Sequence, residues 1–453
     1  MVEDHVGINA VEQFIGDSAL AKGFTFEAAK EKTGKKVAII GGGPAGLAAA
    51  YQLLRMGHDA TIFDERAELG GMMRYGIPGY RTPRDVLDGE IKRIMDMGVT
   101  AKMKTKVCVD MPVAQFEKDY DAILWAIGAQ SGRGLPIPGA DVQNCLTGVD
   151  FLAAYNEGRL KLVTEKVVVI GGGDTSIDVA SVARRLGHIT NITEKDRPEN
   201  IVLGHTAHDV ASSAVRQGAE VVLTTRAGID KMNAAKHEVD DALREGVNIM
   251  GGIDPIEVIK GDKGLACALR VRRLDDNHKP IPGSEFDIEA DLIVSAIGQK
   301  GDMRGIEEFA NNKGLMDADQ HFQLPNKPGH FVCGDIIRPH LLTTAIGQAS
   351  IAVDSIDHYM KHQELRRRPK VDKHHYDLIQ KLREVGLDPE EYEHGEHWGT
   401  NESSFAIHNY EDRSKQEVIP SDKLFLGHFP YIDRVKRIDL PVSADEVLGN
   451  FNE

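Results

Sequence analysis

Cysteine is scarce, with four in 453 residues. Cys108, Cys145, Cys267 and Cys333 include no C-x-x-C pair. Dithiol chemistry, a disulfide framework and a cysteine metal cage are therefore not expected, and a reducing cytoplasm is the simplest setting. Aromatic residues make up only 6%, against 46 glycines and many Val, Ile and Ala, a balance that favours α/β architecture over a β-sandwich. Positive charge is outnumbered: 54 Lys and Arg face 70 Asp and Glu, a net −16 that argues against nucleic acid or an anionic membrane surface as the main partner. Long apolar runs are also missing. The most apolar early stretch, 37–54, holds three consecutive glycines and Pro44 and is no membrane span. Before it, residues 1–34 read as polar helix, INAVEQFIGDSALAKGF and then FEAAKEK, with no signal peptide.

Repetition is what the sequence has instead. VAIIGGGPAGLA at 37–48 and VVVIGGGDTSID at 167–178 are both apolar strands running into three glycines and then a helix. DAILWAIGA (121–129) and ADLIVSAIGQ (290–299) each end in Ala-Ile-Gly. Two halves built from strand–helix–strand units on parallel sheets are expected, since the length exceeds what one core usually serves. VASVARRLG (179–187) and VASSAVRQG (210–218) nearly repeat; because a helix already ends well at Gly187, residues 188–217 read as an insertion.

The first turn carries a strong signature. Gly41-x-Gly43-x-x-Gly46 follows a strand and opens a helix, and Asp64 lies at the end of the next strand. Gly41 permits the tight turn, Gly43 lets backbone N–H groups approach a pyrophosphate, and Gly46 lets helix pack on strand. The helix N-terminus, with Pro44 and Ala45, offers orphan donors and a positive dipole end to phosphates. Asp64, with Glu65 beside it, is placed to accept ribose hydroxyls.

Which dinucleotide sits there is indicated by two further stretches. ELGGMMRYGIPGYRTP (68–83) supplies a Gly-Gly pair suited to FAD phosphates and ribityl chain, with Gly71, Met72 and Arg74 as expected contacts. HFVCGDIIRPHLLTTAIGQASIA (330–352) supplies Gly334 and Asp335, the latter for a ribityl hydroxyl. The helix near Thr344 and Ala345 is placed to aim its N-terminus at the flavin N1–C2=O. Val107, Ala126 and Gly128 complete the expected FAD contacts. The second nucleotide unit is then an insertion between the two FAD segments.

The expected architecture is α/β with two Rossmann-like domains, the nicotinamide domain inserted in the FAD domain. The expected divisions are 1–34, a helical remnant of an iron–sulfur domain; 35–150 and 326–365, the FAD domain; 151–325, the NAD(P) domain; and 366–453, a C-terminal extension.

The second turn replaces the third glycine with Ser176 and puts Asp174 where the first has Pro44. An acid beside a pyrophosphate repels it or must turn toward solvent or a cap, so this site is expected to be the weaker one, suited to a coenzyme that comes and goes. Its expected NAD(P) contacts are Gly171, Gly173, Asp174, Thr175, Ser176, Ala296 and Gly298, with Arg226 at the next strand end. Arg226 is followed by Ala227 and not by a second arginine, so NADH is expected ahead of NADPH, with NADPH left open because no acid stands at the strand end to exclude a phosphate.

GINAVEQFIGDSALAKGF, VAIIGGGPAGLAAA, ELGGMMRYGIPGYRTP, VVVIGGGDTSID and FVCGDIIRP together resemble the glutamate synthase small-subunit family of FAD and NAD(P)H oxidoreductases, over about residues 8–360. GHITNITEKDRPENIVLGHTAHDVASSAVRQGAE, GIDKMNAAKHEVDDAL and LFLGHFPYIDR…DEVLGNFNE resemble the branch of that family that exchanges electrons with dissimilatory sulfite reductase. The resemblance implies hydride transfer between nicotinamide and flavin N5, then single-electron release to an iron–sulfur acceptor, with no catalytic side chain required. It also implies [4Fe-4S] ligands upstream of GINAVEQFIGD and a ferredoxin-like module past DEVLGNFNE. Neither set of cysteines lies in these 453 residues, so the chain is expected to be the core of a longer protein. A homodimer is compatible with this. The alternative within the family is a glutamate synthase small subunit supplying NADPH-derived electrons.

Other residues invite readings that the pattern does not support. His205-x-x-His208 and His394-x-x-His397 have helical spacing but no third ligand nearby in sequence, so no metal is expected. Cys333 reads as a small buried residue near the flavin. RRRPK (366–370) reads as a solvated linker.

Overall fold

The computed structural model describes residues 8–160, 165–186 and 219–365. Two five-stranded parallel sheets dominate. The first runs His330–Val332, Ala122–Trp125, Lys36–Ile40, Asp59–Phe63, Thr100–Lys102. The second runs Cys145–Thr147, Leu292–Ser295, Lys166–Ile170, Glu220–Thr225, Asn248–Gly251. KVAII, AILW, KVVVI and LIVS are buried almost end to end, as strands covered on both faces by helices must be.

The repeat seen in sequence extends to individual hydrogen bonds. Asp121 Oδ2 accepts from Lys36 N at 2.8 Å, and Asp291 Oδ2 accepts from Lys166 N at 2.9 Å. Each aspartate thus pins the start of one central strand to the neighbour that enters beside it.

The helix Pro44–Arg55 packs on Leu342–Met360, with Ala49, Ala50, Leu53 and Leu54 buried against Ala349, Ala352, Val353 and Ile356. Alanine on both sides lets the helices approach closely, which draws residues some three hundred positions apart into one core. Ile177, Val179, Ala180, Val182 and Ala183 of the helix Asp174–Leu186 serve the second sheet in the same way. An antiparallel sheet of Ile253–Lys260, Ala266–Arg273 and Phe286–Glu289 packs beside the second sheet through Val168, Ile170, Leu269 and Val271. Where the chain crosses between the halves, Ser131–Gly132 pairs with Gln299–Lys300.

Three expectations change. Residues 8–21 are helical, but FEAAKEK is not; it takes no regular element, Ala29 N donates to Leu54 O, and Phe26 and Ala28 pack on the core. The division expected at 150 falls inside the helix Gly148–Asn156, and Cys145–Thr147 already belongs to the second sheet, so the crossing lies near 131. The division expected at 325 moves back to about 300, because Met303, Ile306, Leu315, Met316 and Leu324 pack with Phe63 and Trp125 of the first half. Burial of those side chains decided it, and no periodicity announced it. The expected insertion 188–217, both His pairs, RRRPK and the C-terminal extension lie outside the described residues.

Candidate active site

The two glycine turns are laid on one frame. Gly41 N donates to Phe63 O and Ala126 N to Ile40 O, at 2.8 and 2.7 Å; Gly171 N donates to Thr224 O and Ala296 N to Ile170 O, at 3.0 and 2.7 Å. A Cβ on Gly41 would lie 2.3 Å from Ala126 O, and its φ of +106° suits only glycine. A Cβ on Gly171 would lie 2.5 Å from Ala296 O. Both turns therefore need glycine at the first position because the carbonyl of an Ala-Ile-Gly strand end sits against it.

Around the first turn, segments distant in sequence converge. A Cβ on Gly71 would lie 2.7 Å from Gly43 Cα, and one on Gly334 would lie 3.0 Å from Ala45 Cβ and 3.8 Å from Ala345 Cβ. The start of the helix Pro44–Arg55, the Gly-Gly pair and the start of the helix Leu342–Met360 thus meet closely through glycine and alanine, which leaves backbone N–H groups at this junction uncovered by large side chains. Gly334 N donates to Gln348 Oε1 at 2.8 Å. Asp335, pushed above the usual carboxylate range by burial, accepts from His340 N, and His340 Nδ1 lies 2.8 Å from Thr344 Oγ1.

A cleft continues from the turn along Ile40, Gly41, Phe63, Asp64, Glu65 and Val107. Asp64 is buried, and burial raises its carboxyl pKa while the backbone N–H bonds from Arg66 and Gly42, at 2.8 and 2.7 Å, work to lower it. Its oxygens thus shape the turn while their remaining lone pairs line the cleft. Glu65 carries a second carboxylate there, held by Lys106 Nζ at 2.9 Å.

Sequence reading missed the opposite wall: Lys106, Gln130, Asp302, Arg304 and Ile306. Asp302 is held below the usual carboxylate range by its hydrogen bonds from Arg304 and Lys106. Only the packing of 301–325 on the first half brings this wall into place, so no local motif marks it. Arg74, expected at the FAD, donates instead to Leu69 O at 2.6 Å and pairs with Asp88, closing its own loop.

At the second turn, Ser176 stands at the position that Gly46 holds in the first. A Cβ on Gly46 would lie 2.0 Å from Gly41 O, whereas Ser176 is fully buried and donates Oγ–H to Gly173 O at 2.6 Å. A Cβ on Gly173 would meet nothing within 4 Å among the described residues, which leave the turn open on that side. Asp174 is exposed and takes the cap orientation, its Oδ1 accepting from Ala235 N at 3.1 Å.

Arg81, in the GYRTP stretch of the first half, ties the halves together. It donates to Asp178 Oδ1 at 2.5 Å and pairs with Glu238, two carboxylates of the second half. Burial pushes Asp178 up to about 6 against the pull of Arg81.

All four cysteines are free, and burial pushes the Cys333 thiol up to about 12, as a small core residue requires. Among the described residues no His, Cys, Asp and Glu cluster is arranged to hold a metal, and no helix is long and apolar enough to cross a membrane.

Two Rossmann-like units, one interrupting the other, with a glycine turn at the carboxyl end of each central strand, define the class of oxidoreductases that bring two dinucleotides together. The profile of the pyridine nucleotide-disulphide oxidoreductase family matches residues 35–349, and the chain belongs to that family. It is similar to the NADP(+)-dependent formate dehydrogenase subunit beta of Moorella thermoacetica, 35% identical over 374 residues, 79% of this chain and 48% of that one. It thus spans about half the length of that relative. It is also 30% identical to the PreT subunit of NAD-dependent dihydropyrimidine dehydrogenase of Escherichia coli K12 over 363 residues, 80% of this chain and 77% of PreT. Among solved structures, FprA from Mycobacterium tuberculosis has a TM-score of 0.59 at 18% identity, covering 79% of this chain and 87% of FprA. Thioredoxin reductase of Lactococcus lactis has a TM-score of 0.52 at 21% identity, over 72% and 99%. These two establish the fold.

Proposed function

We propose that the chain is the flavin and nicotinamide core of an NAD(P)H:acceptor oxidoreductase, with FAD on the Gly41 turn and an exchanging nicotinamide nucleotide on the Gly171 turn. The observation that carries this is the contrast between the turns among the described residues: one closed around by Gly71 and Gly334, the other open at Gly173. Bound at the first turn, FAD would supply hydride acceptance and stepwise electron release. Gly43, Gly71 and the N-terminus of Pro44–Arg55 would hold its pyrophosphate, and Asp64 and Glu65 its ribose. The N-terminus of Leu342–Met360 would present positive dipole to the ring. Gly173 and Thr175 would seat the nicotinamide nucleotide, Asp174 standing aside on Ala235. Arg81 would hold the halves in the register that ring stacking needs.

The family name refers to a disulphide, but the four isolated cysteines offer no dithiol. Electrons would therefore leave to a partner, and an iron–sulfur protein is the acceptor suited to taking them singly. The finer reading, dissimilatory sulfite reductase as that partner, rests on the resemblance of the GHITNITEK and GIDKMNAAK stretches to the corresponding branch; a glutamate-forming partner is the alternative.

The test is anaerobic addition of NADH or NADPH to the FAD-loaded chain. Bleaching of the flavin absorption by at least one of them is expected, and no bleaching by either would overturn the reading. Reoxidation of the bleached flavin by dissimilatory sulfite reductase then separates the two partners.

A further inference from the structure

We propose that the second site is built for a ribose bearing a 2′-phosphate, so that NADPH is preferred to NADH, and that Arg272 is the second arm of a phosphate clamp begun by Arg226. This rests on the reading above that the Gly171 turn seats a nicotinamide nucleotide. It reverses the coenzyme expected from Arg226-Ala227 alone.

Strand register makes the comparison between the sites residue by residue. Ile40 pairs with Phe63 and Ile170 with Thr224, so Thr225 stands where Asp64 stands and Arg226 where Glu65 stands. The neighbours agree: Gly42 N donates to Asp64 Oδ2 at 2.7 Å, and a Cβ on Gly172 would lie 2.7 Å from Thr225 Oγ1. Two carboxylates, suited to accept from a vicinal diol, are thus replaced by a hydroxyl and a guanidinium. An unmodified ribose offers donors and calls for acceptors. A phosphate monoester calls for donors and positive charge.

The second arginine comes from another element. Asp254 and Arg272 face each other across the antiparallel pair Ile253–Lys260 and Ala266–Arg273. Asp254 Oδ2 accepts from Arg272 Nε and Nη2 at 3.0 and 2.7 Å, while its Oδ1 lies 3.3 Å from Arg226 Nε. One nearly buried carboxylate therefore gathers and orients both guanidinium groups. Its closest approach to Arg226 is at Nε, and neither the Arg226 guanidinium nor Arg272 Nη1 makes a hydrogen bond among the described residues. Two guanidiniums and one carboxylate leave a positive excess, with Arg226 67% exposed and able to close on a dianion. The sheet carrying Arg272 is fastened to the coenzyme loop: Gly252 N donates to Ala227 O at 3.0 Å, and His278 Nδ1 lies 3.1 Å from Arg226 O. One arm of the clamp, Arg272, is thus preorganised on Asp254, and the exposed Arg226 is the arm that closes.

The test measures kcat/KM for flavin reduction with each coenzyme, and binding of adenosine 2′,5′-bisphosphate against 5′-AMP by calorimetry on the FAD-loaded protein. Expected are an NADPH preference of about tenfold or more and a similar preference for the bisphosphate. Arg272→Ala lowers the NADPH-to-NADH ratio by about tenfold, and Arg272→Lys, which keeps charge but loses the fork, lowers it less. Equal or better use of NADH, or a ratio that Arg272→Ala leaves unmoved, would overturn the proposal. If neither coenzyme bleaches the flavin, the proposed activity fails, and bisphosphate binding still decides the clamp.

Discussion

The turns at Gly41 and Gly171 share backbone hydrogen bonds, flanking strands and the aspartates that pin them, yet they differ in what occupies the frame. The first is sealed: Gly46 lies under Gly41 O, Gly71 touches Gly43, and Gly334 brings in a third segment. In the second, a serine stands in place of Gly46, an acid caps a neighbouring loop, and the described residues leave the outer side open. In the proposed function, the same fold element serves for retention or for exchange according to how many other segments lean on it. An identical main-chain frame does not set affinity; the side chains and loops around it do.

The comparison breaks most completely if the residues are exchanged. Gly46→Ser places a Cβ at 2.0 Å from Gly41 O, a backbone clash that no rotamer relieves. A destabilisation of about 3 kcal/mol and loss of copurifying FAD are expected, read by thermal unfolding and flavin-to-protein absorbance. The reverse change, Ser176→Gly, loses one hydrogen bond and adds chain freedom, at a cost of about 1 kcal/mol, with FAD content unchanged. Equal effects of the two substitutions would show that the turns are not differently packed.

A smaller effect sharpens the role of Asp174. Asp174→Asn retains an acceptor for Ala235 N while removing a charge beside the expected pyrophosphate. Its KM for the coenzyme should fall about threefold to tenfold, with kcat little changed, and a raised KM would mean that the carboxylate assists binding. The smallest effect concerns Cys333. Burial pushes its pKa up to about 12, so the thiol stays protonated near neutral pH and is shielded from reagent. Iodoacetamide should label exposed Cys267 and spare Cys333, as mass spectrometry of peptides would show. Labelling of Cys333 in the folded protein would place it at an open site.

Much of the candidate site was legible from the chain because its rules are local. Gly41, Gly43 and Gly46 announce a turn through spacing after an apolar strand, and Asp64 follows at the next strand end. The repeated Ala-Ile-Gly marked Ala126 and Ala296 as expected cofactor contacts, and the carbonyl of each lies against one of the two turns. Val107 also lines the cleft, although no motif surrounds it. Arg74 was placed at the FAD because a basic residue near a phosphate loop suggests a phosphate contact; its side chain pairs with Asp88 and donates to Leu69 O, partners that spacing does not reveal. The boundary at 325 misled because residues 301–325 have no periodic pattern and are placed by burial and by long-range bonds such as Lys106–Asp302 and Met316 N to Ile336 O.

The sequence by itself determined where the strands, glycine turns and helix starts lie, since apolar period, steric freedom and capping act over a few residues. Tertiary structure decided which distant segments share a site: Gly334 with Ala45, Asp302 with Lys106, Arg81 with Asp178, and Arg272 with Arg226 through Asp254. Such pairings depend on sheet order, register and the burial of charge beside charge, and those forces act between surfaces that exist only once the chain has folded.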